Sequence, residues 1–318
     1  MTKTVSVSFG LLARRAASGD RRAVARLISI VENNPRSRLK VLSILYRRTG
    51  GAYVIGVTGP PGCGKSTLIG QLVKHYRSSG FKVGVVAVDP TSSITGGALL
   101  GDRVRMGALA SDPGVFIRSM ATRGHQGGLA RATKDAVSIL DASGMDYIIV
   151  ETAGAGQSDV EVESLAHTTV VVEAPGLGDE VQALKAGIME IGDIFVVNKA
   201  DRADADSTAQ NISSAVFTSE PGWRPPIIKT VAVTGEGVAA LAEAIGRHSK
   251  HVRSSGQLVF LKEERLRRDL LEETIRYFED TKLSELTSTT RFKRLLARVE
   301  AREIDPYTAA RRMVQGNI

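Results

Sequence analysis

The stretch Gly59-Pro-Pro-Gly-Cys-Gly-Lys-Ser-Thr67 constrains the fold of this chain more than any other feature of its sequence. It fits G-x-x-x-x-G-K-[ST] in the setting where that spacing has physical meaning. The apolar run AYVIGVT precedes it, and a helical pattern beginning Leu-Ile-Gly follows. The glycines let backbone N–H groups converge on an anion, and the positive end of the helix dipole adds to them. Lys65 can then reach the β- and γ-phosphates of a nucleotide, and the Ser66 hydroxyl can ligate Mg²⁺. Gly59, Pro60, Pro61, Gly62, Cys63, Gly64, Lys65, Ser66 and Thr67 are therefore predicted to form a nucleotide cradle. Strand, Gly-rich turn and helix in that order commit the chain to a P-loop NTPase architecture. Cys63 is read as a small side chain at a permissive loop position rather than a reactive thiol.

Six largely apolar runs lie in the central zone: AYVIGVTG, FKVGVVAVD, MDYIIVE, TTVVVEA, DIFVVNKAD and PIIKTVAV. None alternates with period two, which suits strands buried on both faces of a parallel sheet. Helical stretches between them predict an α/β fold with a doubly wound, mainly parallel sheet. Before it, Leu12, Ala16, Val24, Leu27, Ile28 and Val31 recur at helical spacing. Asp20 is placed as an N-cap there, and Pro35 closes the second helix ahead of a third. After it, Leu266, Leu270, Leu271, Ile275 and Phe278 gather on one helix face, with Glu263/Arg267 and Glu264/Arg268 four apart. The predicted division is an N-terminal helical extension (1–50), a nucleotide-binding domain (51–250) and a C-terminal helical region (251–318).

The 318 residues are enough to bury a large core without staples, and the single cysteine excludes an internal disulfide framework and a multi-cysteine zinc site. No apolar run approaches the roughly 20 residues that span a bilayer, and the N-terminus lacks the pattern of a secretory signal, so a cytoplasmic protein is expected. The net charge is +8, yet one tryptophan and 5% aromatic residues leave little to stack bases. Nucleic acid is not an expected partner, because surplus arginine on helices more often makes a solvated face.

Asn198-Lys199-Ala200-Asp201 follows the strand DIFVV and points to the base. A carboxylate at Asp201 can accept from both N1–H and the 2-amino group of guanine, whereas adenine offers neither donor. Asn198 would tie the loop together and contact the base edge, with the Lys199 stem against its face. A GTP/GDP site follows. Upstream, the strand YIIV delivers Glu151 to its C-terminal end, where ligands of such sheets bind, with Gly154 three residues on and placed to sense a γ-phosphate. A second acid-terminated strand delivers Asp89 and leads into a Gly-rich stretch containing Asp102, a candidate order–disorder switch. Gln157 is a candidate for orienting water and equally a loop polar group. His125 lacks a second His or Cys at ligand spacing, and Arg123 could touch phosphate or a partner.

AVDPTSSITGGALLGDRVRM, IVETAGAGQSDVEV and APGLGDEVQALKAGIMEIGDIFVVNKAD together resemble the MeaB-type GTPases, also called ArgK, relatives of the methylmalonic aciduria type A protein. The resemblance runs over roughly residues 10–280. It implies a homodimeric GTPase of slow intrinsic rate that chaperones an adenosylcobalamin-dependent acyl-CoA mutase, gating cofactor loading and protecting or reactivating the enzyme. It implies a catalytic set of Lys65, Asp102, Glu151 and Lys185, with Mg²⁺ held by Ser66, Asp89, Asp102 and Glu151. Gly176–Gly187 would be a third switch, Val233 would lie in the loop closing over guanine, and the C-terminal helices would serve dimerisation. The chain departs from the family in reading ETAGAGQSD where relatives often carry ETVGVGQSE, PTSS for PSSP, and VAVTGEG in the guanine-closing loop. The rival reading is a kinase or ATPase in basic amino-acid transport, against which the guanine-type NKAD argues.

Overall fold

The computed structural model describes residues 8–89, 107–121, 128–152, 165–176, 188–216 and 222–314. Three predicted site residues, Asp102, Gly154 and Lys185, lie outside these, as do Arg123, His125, Gln157 and residues 177–187 of the expected third switch. Of Asp89 only the backbone is described. The chain divides into two compact units, the first ending at Ser254 and the second beginning at Ser255.

The first unit is built on seven parallel strands: β1 (Tyr53–Thr58), β2 (Val83–Asp89), β3 (Val115–Ala121), β4 (Tyr147–Glu151), β5 (Thr168–Glu173), β6 (Ile194–Asn198) and β7 (Ile227–Thr230). Their order is β3-β2-β4-β1-β5-β6-β7, which puts β1 at the centre with its connections winding to both sides. Six of these are the apolar runs of the sequence. The seventh, β3, is an edge strand that apolarity alone does not reveal. Its Arg118 shares a face with Phe116 and Met120, and that charge is met by Glu32 of the second helix at 2.6 Å.

Alternate residues of the strands feed opposite faces. Val54, Val86, Ile148 and Val150 point into a core shared with α1 (Phe9–Ala17), α2 (Arg21–Asn33), α3 (Pro35–Leu45) and α5 (Gly128–Ala142). Ile55, Val57, Ile149 and Val172 point the other way, toward α4 (Lys65–Ser78) and α8 (Val238–Ser254). A third cluster packs Val171, Phe195 and Val197 with Met189 of α6 (Ile188–Ile191) and Ala205 and Ile212 of α7 (Ala205–Ala215).

The N-terminal helices therefore line the same core as the sheet. Asp20 caps α2 by accepting from the N–H groups of Arg22 (2.9 Å) and Ala23 (3.1 Å). Pro35 occupies the first turn of α3, where its missing N–H costs nothing, so it opens that helix as well as ending the previous one. A buried ion pair between Arg38 of α3 and Asp135 of α5 fastens the extension to the sheet layer.

The second unit contains α9 (Gln257–Tyr277), a π-helical turn over Phe278–Leu283, α10 (Ser284–Ser288), α11 (Thr290–Glu300) and α12 (Pro306–Val314). The apolar stripe Leu266, Leu270, Leu271, Ile275 and Phe278 is exposed. Arg267 pairs with Glu264 three residues back rather than with Glu263. No helix among the described residues is long and apolar enough to cross a membrane.

Candidate functional site

At the C-terminal edge of the sheet β1 ends at Thr58 and the phosphate loop begins. Gly59 turns at φ +140°, and a Cβ there would stand 1.9 Å from the Val172 carbonyl oxygen of β5. Only glycine lets the loop leave the sheet so close to its neighbour. Gly64, at φ +97°, ends the loop against the Asn198 amide, whose nitrogen would lie 2.4 Å from a Cβ.

Lys65 opens α4 and is buried. Its ammonium donates to the carbonyls of Gly59 (2.7 Å) and Pro60 (3.1 Å), curling back across the loop it follows. The next hydroxyl, Ser66, donates to Glu151 Oε1 at 2.7 Å, and both residues are buried. The register explains the encounter: β4 pairs with β1 as Val57↔Glu151, so the carboxylate arrives level with the start of the loop. Thr152, one residue on, donates from its hydroxyl to that of Thr58 at 3.1 Å and ties the two strand ends together. Ser66 and Glu151 form a hard-oxygen pair of the sort that Mg²⁺ accepts, together with phosphate oxygens and water. Asp89 ends β2, which pairs with β4 as Ala87↔Glu151, so its backbone reaches the same edge.

The Cys63 thiol is pushed up to about 11, chiefly by burial. It is a thiol at neutral pH, as its reading as an inert small residue requires.

The base side is organised by Asn198, the last residue of β6. Its amide nitrogen donates to the Cys63 carbonyl at 2.8 Å. Its oxygen accepts from the Thr230 hydroxyl (3.1 Å) and the Ala232 N–H (3.0 Å). One buried side chain thus joins the phosphate loop, the end of β7 and the loop after it. Lys199 adopts φ +57°, uncommon for a residue with a side chain, and its ammonium donates to the Gly62 carbonyl at 2.7 Å. Asp201 is exposed and lines a cavity of about 240 Å³ with Gly64, Thr67, Lys199, Arg202 and Val233. Across that cavity the Ala232 N–H is occupied by Asn198, whereas the Val233 N–H has no partner among the described residues. A backbone donor is therefore available beside the cavity.

The structure brings together residues 59–67, Glu151, Asn198, Lys199, Asp201 and Val233. Sequence reasoning missed three contributors, Thr230 and Ala232, which hold Asn198, and Arg202, beside the base cavity, and it also passed over Glu173, a buried acid at the end of β5. An acid terminating the otherwise apolar run TTVVVE was the available signal for the last.

Residues 24–289 match the family model described as methylmalonyl Co-A mutase-associated GTPase MeaB. A protein of Pyrococcus horikoshii named as a GTPase is 50% identical over 304 residues, covering 94% of this chain and 95% of the relative. The mouse protein named methylmalonic aciduria type A homolog, mitochondrial, is 32% identical over 76% of this chain and 63% of its own length. Among solved structures, that of a LAO/AO transport system kinase superposes with a TM-score of 0.69 at 24% identity, covering 98% of this chain and 97% of that one. At that identity the likeness speaks for the fold alone.

Proposed function

The chain belongs to the family of methylmalonyl-CoA mutase-associated GTPases named MeaB, and from that membership we propose that it is the GTP-driven chaperone of an adenosylcobalamin-dependent acyl-CoA mutase. Methylmalonyl-CoA mutase is the default client. The observation that carries the nucleotide part is the Asn198 junction, which fixes a phosphate loop and a guanine-type NKAD loop in one rigid cradle. The client part rests on the family description and on the similarity to the methylmalonic aciduria type A homolog.

In this reading Asp201 accepts from the guanine edge and the Val233 N–H donates to O6, while Asn198 and Lys199 hold the base loop against the phosphate loop. The backbone N–H groups of Gly62–Thr67 receive the phosphates, and Lys65 swings from the Gly59 and Pro60 carbonyls to the β- and γ-oxygens. Mg²⁺ would be held by Ser66 and Glu151, with Asp89 and Asp102, and supplies neutralisation of charge on the transferring phosphoryl group. Gly154 senses the γ-phosphate. Asp102 and Lys185, engaged by the client, raise a slow intrinsic turnover. The protein acts in the cytoplasm as a homodimer, with the exposed stripe of α9 in the dimer contact.

The test is GTP turnover by the full chain with and without a purified cobalamin-dependent mutase, for the parent and for Lys185→Ala. The mutase stimulates the parent; Lys185→Ala binds GDP normally and loses the stimulation. Turnover and binding that ignore every such mutase would overturn the chaperone reading and reopen that of a transport-linked kinase.

A further inference from the structure

Glu173 is 2% exposed, and neither of its carboxyl oxygens has a hydrogen-bond partner among the described residues. An acid so placed is costly to keep ionised, because nothing replaces the water it has lost. Its position gives that cost a use. Gly59, the first residue of the phosphate loop, lies against the Val172 carbonyl, the peptide immediately before Glu173. Lys65 sends its ammonium to the Gly59 and Pro60 carbonyls at the same entrance of the loop. The Cys63 thiol of the same loop feels the charges of both Lys65 and Glu173.

Burial raises the Glu173 carboxyl to about 7, and Lys65 is the cation that pulls it back down. Among the described residues, the other ionisable groups on the surrounding elements are engaged elsewhere or neutral. Glu151 of β4 accepts from Ser66, Arg202 after β6 donates to the Pro175 carbonyl at 3.5 Å, and Cys63 stays a thiol. Glu190 lies on α6, and Asp193 and His248 lie at the opposite end of the strand, near Thr168 and Thr169.

We propose that Glu173 is a positioning residue for Lys65: as a carboxylate it holds the lysine's charge at the loop entrance, and on taking up a proton it frees that charge for the phosphates. The step is a proton transfer from solvent to a Glu173 oxygen, with no other bond made or broken. The inference needs a nucleotide in the phosphate loop and is independent of the mutase.

The sign follows from linkage. Phosphates add negative charge beside Glu173 and favour its neutral form, so binding above about pH 7 takes up a proton and affinity falls as pH rises. A nucleotide-induced rise of about one pKa unit gives roughly sixfold weaker GDP binding at about pH 8.5 than at about pH 6.5. Glutamine copies the neutral acid in shape and charge, so Glu173→Gln flattens that profile and binds GDP at the upper pH as tightly as the parent does at the lower.

Calorimetry of GDP and Mg²⁺ binding to the full chain, in two buffers of different ionisation enthalpy, counts the proton directly. The expected result is uptake of a fraction of a proton by the parent and none by Glu173→Gln. A residue that merely packs would alter thermal stability and leave the proton count unchanged. GDP binding without uptake, or uptake that persists in Glu173→Gln, overturns the role of Glu173 and leaves the guanine site standing. Failure of the parent to bind GDP overturns both.

Discussion

Replacing Asn198 by alanine removes one side chain and three hydrogen bonds. The groups left behind are the Cys63 carbonyl, the Thr230 hydroxyl and the Ala232 N–H, on residues that are each no more than 2% exposed. Water cannot readily replace the lost partner at such depth. A buried polar group stripped of its partner costs about 1–3 kcal/mol, and three that share one site are not fully additive, so a loss of about 4 kcal/mol is expected. For a unit of this size about 4 kcal/mol lowers the melting temperature by roughly 8 °C or more. The same change unlatches the phosphate loop from the base loop, so GDP affinity falls with stability. Differential scanning calorimetry, with and without saturating GDP, separates the two effects. The nucleotide raises the variant's melting temperature less than the parent's, because weaker binding contributes less by mass action. A variant melting within about 2 °C of the parent and binding GDP equally well would falsify the view that Asn198 is the junction.

Asp201→Asn exchanges a double acceptor for an amide that presents a donor to the guanine edge, and GDP affinity drops roughly 10²-fold by titration calorimetry. Glu151→Ala removes the acceptor of the Ser66 hydroxyl; Mg²⁺-dependent GTP turnover falls while nucleotide affinity changes less, as a phosphate-release assay beside a binding titration would read. Arg38→Ala removes the ion-pair partner of the buried Asp135 carboxylate between α3 and α5 and destabilises the first unit by about 3 kcal/mol, measured by urea unfolding.

What could be read from the sequence follows the range of the interactions involved. The phosphate loop is local: its glycines, lysine and hydroxyl act through neighbours in the chain, so spacing alone placed Gly59 through Thr67. Buried parallel strands are similarly legible, since Val85, Ile149 and Val171 need only be apolar on both faces. β3 was not legible because its burial is negotiated at a distance, with Arg118 tolerated on a core face by Glu32 and Ser29 of α2. The Asn198 junction was half visible: the NKAD spacing marked the residue, but its acceptor role toward Thr230 and Ala232 exists only once β6 and β7 are side by side. Lys199 was expected to lend its stem to the base, and its ammonium is in addition anchored to Gly62, which needs the positive φ that no sequence pattern announces.

The strand order sets when the nascent chain can assemble. β1 and the phosphate loop emerge early from the ribosome, yet β1 pairs with β4, which begins at Tyr147, and with β5, which begins at Thr168. Until those strands are synthesised the central strand has no edge to join, and its apolar run waits unpaired for several seconds at ordinary elongation rates of about 5–20 residues per second. Gly59 has no Val172 to rest on until then, and Cys63 has no Asn198 until β6 follows. The base cavity closes later still, when Val233 emerges. Ribosome-stalled chains ending before β6 should therefore expose an open, protease-sensitive phosphate loop. Protection should appear in steps as β5, then β6, then the loop after β7 clear the exit tunnel.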